Sequence, residues 1–334
     1  MRILLTSAGG EMISSLAKYI KQDKYLCKPL LFGIDKKRII KPKNFEKLFT
    51  ISPKNKIEYY KKILKICLNY KIDLIIPFSD EEAEIFSIYK KFFLKKKIKI
   101  MVNNDKCVKL ISNKFLTYEK LKKNNIRVPI YYLSKNIKSL RKNIKFFTDK
   151  NIDFVIKPIK SRGGRGIIIC TNSDQTKSNK KAKRIMFTSF KTLKINDSIF
   201  KFGEVMVMEK LNPPGFDIDC FVKNKTFTAV YRKRINPFGI PYKGNIFIKP
   251  DKNFYVKKII KVLKLKYLFD LDFFTDKKGN PILLEANPRP SGSIALCNKV
   301  DIPLFSYAIS KLMGKNYPKI KFTTKSKKII KLKI

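Results

Sequence analysis

Histidine and tryptophan are absent from the 334 residues, and acids are scarce: 26 Asp and Glu stand against 75 Lys and Arg. The missing histidine removes the commonest general base at neutral pH. It also excludes serine–histidine and cysteine–histidine nucleophile pairs. Metal, lysine, arginine, carboxylate and backbone-dipole chemistry remain, and phosphoryl transfer needs little else. The six cysteines occur singly, with no Cys-x-x-Cys spacing. A zinc site is therefore not expected, and the thiols read as buried singles in a reducing compartment. No apolar run nears the roughly 20 residues of a spanning helix. The short apolar run after Arg2 is too brief for a signal peptide. A soluble, cytoplasmic protein is expected.

The formal charge is +49, which raises nucleic acid, anionic surfaces or acidic substrates as partners. The basic residues are dispersed, however, and Lys far outnumbers Arg, as in Lys95-Lys96-Lys97. Nucleic-acid proteins cluster charge and favour Arg for bidentate contacts. The charge reads as a drift in residue usage, with no specific nucleic acid and no membrane expected. The hydrophobic fraction of 44% supports a sizeable core, and the length suggests two or three packed subdomains.

Strand and helix signals alternate over the first hundred residues. Strands are expected at 2–6, 29–35, 73–78 and 98–102. Helices are expected at 11–22 and at 57–70, the latter with Ile57, Tyr60, Ile63, Leu64, Cys67 and Leu68 on one face. This βαβ order predicts an open parallel sheet with helices on both faces. A boundary falls near Asn103-Asn104-Asp105. Helices follow at 113–124, 140–150 and 253–268, and strands at 154–157, 166–170, 205–208, 218–222 and 227–231. Residues 172–184 read as a polar loop. Two last strands, 269–275 and 281–285, flank the turn Asp276-Lys277-Lys278-Gly279-Asn280.

Three segments carry chemistry. In the last hairpin, Glu285 and Asn287 lie two residues apart and face the same side of an extended chain. Asp272, on the neighbouring strand, reaches the same point. Two carboxylates and an amide oxygen form a hard-oxygen set suited to Mg²⁺. Its apolar flanks Phe273, Phe274, Ile282, Leu283 and Leu284 argue against solvated surface acids. The second segment, Phe154-Val155-Ile156-Lys157-Pro158, leads into Ser161-Arg162-Gly163-Gly164-Arg165-Gly166. A lysine followed by a glycine-rich turn can cradle an anion through backbone N–H groups. The Gly-Lys-Ser/Thr ending of a P-loop is missing. In the third, the apolar strand Val205–Met208 ends on Glu209, Lys210 and Leu211 before a proline-rich turn.

In this order the three segments resemble the ATP-grasp superfamily, nearest its carbamoyl-phosphate-synthetase-like and amino-acid-ligase-like branch. Thr6-Ser7-Ala8-Gly9-Gly10 and Ile76-Pro77-Phe78-Ser79-Asp80-Glu81-Glu82 resemble the family's first domain. Asn113-Lys114 through Pro129 resembles the start of its ATP-binding part, and Glu285-x-Asn287-Pro288-Arg289 its most specific motif. The resemblance implies an α/β and α+β chain. A Rossmann-like pre-ATP-grasp domain (1–103) would precede a two-lobed ATP-grasp domain (104–315, hinged near 209–211), with a basic tail at 316–334.

The resemblance also implies roles. Lys114 and Lys157 would contact the phosphates of ATP, and Ser161, Gly163, Gly164 and Gly166 would close over them. Glu209, Lys210 and Leu211 would border the adenine, with Glu209 accepting from its amine. Asp217 or Asp219 would replace the usual ribose-binding Glu. Asp272, Glu285 and Asn287 would hold Mg²⁺ or Mn²⁺. Arg289 would neutralise the transferred phosphoryl group, and Arg232 and Arg234 would hold phosphate or the substrate carboxylate. The implied activity is an ADP-forming carboxylate–amine ligase acting through an acylphosphate. Its partners would be a small-molecule carboxylate and an amine-type nucleophile; a homodimer is left open. The alternatives are an ATP-grasp protein that binds nucleotide without turnover, a nicotinamide-binding oxidoreductase suggested by the first βαβ units and Asp35, and a basic polyanion binder. Residues 172–200 and 236–250 are expected to line the substrate pocket.

Overall fold

A computed structural model describes residues 1–10, 12–39, 44–161, 163–172, 184–235, 243–320 and 329–331. Residues 173–183 of the expected polar loop and pocket lining, the 236–242 part of that lining, Arg162 and most of the tail lie outside them.

The first sheet contains β1 (Arg2–Thr6), β2 (Leu30–Asp35), β3 (Lys47–Thr50), β4 (Leu74–Ile76) and β5 (Lys99–Ile100) in the order β3-β2-β1-β4-β5. Every neighbouring pair is parallel, as the βαβ pattern predicts. Both faces are covered. Ile3 and Leu5 join α1 (Ile13–Gln22) and α8 (Leu304–Met313) in one core. Leu4 turns to α2 (Lys56–Asn69) and α3 (Asp80–Lys95) in another. On α2 the buried side chains are Tyr59, Ile63 and Cys67, whereas Ile57 is 58% and Leu68 50% exposed. The buried face is thus rotated from the expected one.

The strand β4 leads to the N-terminus of α3, where the Ser79 hydroxyl accepts from the Glu82 amide at 3.2 Å. The buried Glu82 carboxylate accepts from Thr6, Ser7, Tyr59 and Ser79 hydroxyls at 2.6–2.8 Å. These bonds fix the ends of β1 and β4 and place Asp80 and Glu81 at the start of α3. The short helix α4 (Asp105–Ile111), absent from the sequence reading, crosses to the rest of the chain.

The second sheet contains β6 (Tyr131–Ser134), β7 (Phe154–Pro158), β8 (Ile167–Thr171), β9 (Ile185–Ser189) and β10 (Val205–Glu209), ordered β6-β10-β7-β8-β9. Its pairs are antiparallel except β8 with β9. The helices α5 (Lys114–Lys122) and α6 (Ile137–Asp149) accompany it. Asn113 starts α5 by accepting from the Leu116 amide at 3.1 Å, the usual task of a short polar N-cap.

The third sheet orders β15 (Pro281–Asn287), β14 (Tyr267–Thr275), β11 (Asn212–Lys223), β12 (Thr226–Arg234), β13 (Lys243–Ile248) and β16 (Ile329–Lys331), all antiparallel. The helix expected at 253–268 is shorter: α7 spans Val256–Leu263, and Lys264 closes it in the left-handed region at φ 56°. A joint core of Tyr118 and Leu121 from α5, Met206 and Met208 from β10, Ile259 and Leu263 from α7, and Phe269 and Leu271 from β14 binds the second and third sheets together. The architecture is therefore a Rossmann-like α/β sheet followed by two α+β lobes.

Candidate active site

The turn after β14 is built by Asp276, whose Oδ1 accepts from the Lys278 and Asn280 amides at 2.9 Å. Gly279 takes φ 81°, where a Cβ would be strained. That turn starts the hairpin with Phe273 opposite Leu283, and an irregularity at Leu284 then shifts the register, so that Asp272 faces Glu285 and Asp270 faces Asn287. The strand β11 lies on the other side of β14, with Asp217 beside Asp272 and Asp219 beside Asp270. Alternation along each strand puts these side chains on one face, while Ile218 and Leu271 turn to the core behind.

This acid row is larger than the expected trio. Asp217, Asp270 and Asp272 are buried, and each offers an oxygen within 4.8 Å of the others. Asn287 Nδ2 donates to Asp270 Oδ2 at 3.3 Å and to Asp272 Oδ2 at 3.2 Å. The amide oxygen of Asn287 is therefore the atom left to ligate a cation. Burial, reinforced by neighbouring carboxylates, pushes the carboxyls of Asp270 and Asp272 well above the usual range. Burial acts on Asp217 in the same sense, but Arg234 and Arg232 outweigh it and hold that group low.

Two lysines approach from the second sheet. Lys114 Nζ donates to the Ser161 carbonyl at 2.8 Å and lies 3.3 Å from Glu285 Oε2. Lys157, 3% exposed, sits 3.5 Å from the Tyr118 hydroxyl oxygen. Burial, together with the Lys114 ammonium, lowers the Lys157 ammonium to about 7, against the pull of Glu285. Burial alone would raise Glu285, yet Lys114 and Lys157 hold its carboxyl below the usual range. Gly163, Gly164 and Gly166 all adopt positive φ in the turn between β7 and β8. Pro158 and Phe202 would stand 2.9 Å from a Cβ on Gly166.

A cavity of about 330 Å³ has Lys114, Ser161, Gly163, Glu285, Asn287 and Arg289 on its wall, whereas Lys157, Gly164, Gly166 and Asp272 do not line it. Asp80, Glu81 and Glu84 of α3 line it from the first sheet. Arg289 Nε lies 3.1 Å from Asp80 Oδ1, so an acid at the start of α3 holds the arginine that follows β15.

The structure does not bring every expected residue to this cavity. Arg232 is fully buried. Its guanidinium pairs with Asp219 and donates to Ser291 Oγ at 3.0 Å and Ser293 Oγ at 2.6 Å. It therefore lacks a route to a bound carboxylate, contrary to expectation. Arg234 is engaged by Asp217, with Nε at 2.7 Å, and by Asp272 at 2.6 Å. Asp217 sits in the acid row rather than at the hinge, and Asp219 is locked to Arg232, which removes both from the expected ribose role. Glu209 ends β10, and burial raises its carboxyl. Lys210 is tied to Asp153, by its amide at 2.8 Å and its Nζ at 3.1 Å, rather than open to a ligand. Leu211 packs in the joint core.

Two ATP-grasp family models match adjacent stretches. "Sugar-transfer associated ATP-grasp" matches residues 94–210, and "ATP-grasp in the biosynthetic pathway with Ter operon" matches residues 201–333. The chain belongs to the ATP-grasp superfamily. No curated protein sequence matches it. Among solved structures, N5-carboxyaminoimidazole synthetase from Staphylococcus aureus, complexed with ADP, is 17% identical with a TM-score of 0.66, over 95% of this chain and 78% of that one. L-amino acid ligase from Bacillus licheniformis is 10% identical at 0.65, over 93% and 74%. The biotin carboxylase–β-γ-ATP complex from Campylobacter jejuni is 14% identical at 0.66, over 98% and 73%. These likenesses establish a shared fold.

Within this ATP-grasp frame the sequence reading missed Asp270 and Asp80. Asp270 was within reach: it stands two residues before Asp272, the same spacing that paired Glu285 with Asn287. Asp80 lies in the segment Ile76-Pro77-Phe78-Ser79-Asp80-Glu81-Glu82, but nothing local shows that it faces Arg289, 209 residues away.

Proposed function

We propose that the chain is a Mg-ATP-dependent, ADP-forming ligase that joins a carboxylate to an amine or related nucleophile through an acylphosphate. The observation that carries this reading is the meeting of Lys114 and the glycine turn with Glu285, Asn287 and Arg289 around one cavity, with the buried Lys157 close enough to help hold the Glu285 carboxyl low. The structural neighbours whose names describe a ligase, a carboxylase and a synthetase support the same class. We read residues 1–103 as the pre-ATP-grasp domain, 104–315 as the ATP-grasp domain and 316–334 as a tail.

The donor set fits a hard divalent cation. Asp272 and Glu285 offer carboxylate oxygens, and the Asn287 amide nitrogen is engaged by Asp270 and Asp272, leaving its carbonyl oxygen for the ion. Such a cation, magnesium or manganese, neutralises phosphate oxygens when bound. Lys114 and Lys157 attract the nucleotide phosphates, and the glycine turn excludes water from them. Arg289, held by Asp80, faces charge on the γ-phosphoryl group. A substrate carboxylate oxygen forms a bond to the γ-phosphorus as its bond to the bridging oxygen of ADP breaks. An amine then attacks the acyl carbon, inorganic phosphate leaves with the electron pair, and the amine loses a proton. Glu209, Lys210 and Leu211 remain our assignment for the adenine border, through backbone and carboxyl rather than the Lys210 ammonium.

Pairing amino acids and small carboxylates with amines, and following ADP release with hydroxylamine present, tests this reading. Carboxylate-dependent ADP and a hydroxamate product are expected. ADP formation that ignores every carboxylate, with no hydroxamate, would refute it.

A further inference from the structure

Two side chains on one face of α5 reach the other lobe. Lys114 opens the helix and Tyr118 follows one turn later, a spacing that makes them surface neighbours. Lys114 joins the Ser161 carbonyl of the glycine turn to Glu285 on β15. Tyr118 makes the second crossing. Its hydroxyl donates to the Leu284 carbonyl at 2.8 Å, the residue next to Glu285. Lys157 Nζ, from β7, donates to the same hydroxyl oxygen at 3.5 Å and stands 5.4 Å from the ring centre.

The hydroxyl has one proton, and Leu284 takes it, so its lone pairs are what it can offer to the ammonium. The backbone of β15 thereby orients the hydroxyl, and the hydroxyl orients the lysine. Among the described residues Lys157 forms no other hydrogen bond and no ion pair. A flexible side chain with four rotatable bonds has this one polar partner to hold it. The ring of Tyr118 is fully buried and packs on Tyr131 at 5.2 Å. Phenylalanine would fill that space equally well, so the hydroxyl calls for a reason beyond packing.

We propose that Tyr118 is a positioning residue: it aims Lys157 at the nucleotide phosphates and ties that aim to the strand that carries Glu285 and Asn287. The proposal rests on the ATP reading above. It adds a link between the phosphate lysine of one lobe and the metal-binding strand of the other, so that the two halves of the Mg-ATP site are set together.

Tyr118→Phe tests it by calorimetric binding of ATP and of adenosine, which lacks phosphates. The variant is expected to weaken ATP about tenfold, the size of one charge-assisted hydrogen bond, with adenosine unchanged within about twofold. Tyr131→Phe, which removes a hydroxyl bound to Glu119 rather than to Lys157, is expected to alter neither. In a Lys157→Met background, adding Tyr118→Phe should cost nothing further for ATP. Equal weakening of ATP and adenosine, or a full extra loss in the Lys157→Met background, would overturn the proposal by showing that Tyr118 acts on packing alone. An unchanged ATP affinity in Tyr118→Phe would overturn it too. Failure of the wild-type protein to bind ATP at all would instead overturn the nucleotide reading and take this inference with it.

Discussion

Asn287 turns its amide nitrogen toward Asp270, 3.3 Å away across β14 and β15, and shares it with Asp272. Two acids thus choose the orientation of an amide that lines the cavity. Asn287→Asp replaces that donor by a third carboxylate facing two buried ones. Like charges at this distance repel. The thermal midpoint in chelator is expected to fall, and the gap to the wild type to narrow as Mg²⁺ is added. A calorimetric scan with and without metal checks both.

Arg232 and Asp219 form a fully buried ion pair. Removing one partner strands the other, at a cost of roughly 3–5 kcal/mol. Arg232→Met is expected to lower the urea midpoint by a corresponding amount. ATP affinity in the folded fraction should stay near that of the wild type, because the guanidinium does not reach the cavity. A large affinity loss in a stable Arg232→Met protein would return Arg232 to the site.

Lys157 titrates near pH 7 because burial and Lys114 disfavour its charge. Its folded-state value lies below the unfolded one of roughly 10.4. Between these limits the unfolded chain binds more protons, so this group's contribution to stability rises with pH from about 7 upward. Phosphate binding needs the ammonium and runs the opposite way. ATP affinity is expected to be highest below about pH 7 and to decline above it, and Lys157→Met should flatten that decline. Binding isotherms from pH 6 to 9 measure the slope for both proteins.

Much of this was legible in the sequence where the signal was local. The βαβ alternation gave the parallel sheet, and Asp276-Lys277-Lys278-Gly279-Asn280 gave the last hairpin, although not the register shift that faces Asp272 with Glu285. Edge strands β3, β6 and β9 are four or five residues long and half-exposed, so they carry no alternation strong enough to see. The helix at 253–268 was overextended because Leu265 and Leu268 continue a helical spacing. Only the backbone shows that Lys264 turns left-handed there. Arg232 was misread because an arginine on a strand near a phosphate site looks functional until Asp219, thirteen residues earlier, is seen to hold it. Tyr118 was invisible for the same reason: its partner Leu284 is 166 residues away.

Asp80→Asn weakens the hold on Arg289 without emptying the cavity wall. If Arg289 acts on the transferred phosphoryl group, turnover should fall several-fold while ATP affinity changes little. Steady-state ADP release set beside calorimetric binding separates the two effects. A loss of affinity with unchanged turnover would place Arg289 in nucleotide binding instead.

Titration of a non-hydrolysable ATP analogue into the protein, with and without Mg²⁺, tests the Mg-ATP assignment most directly. The wild type is expected to bind with an affinity that Mg²⁺ strengthens, and Glu285→Ala and Asn287→Ala to lose that metal-dependent gain. No binding at millimolar nucleotide, or a Mg²⁺-dependent gain in both variants equal to that of the wild type, would contradict it.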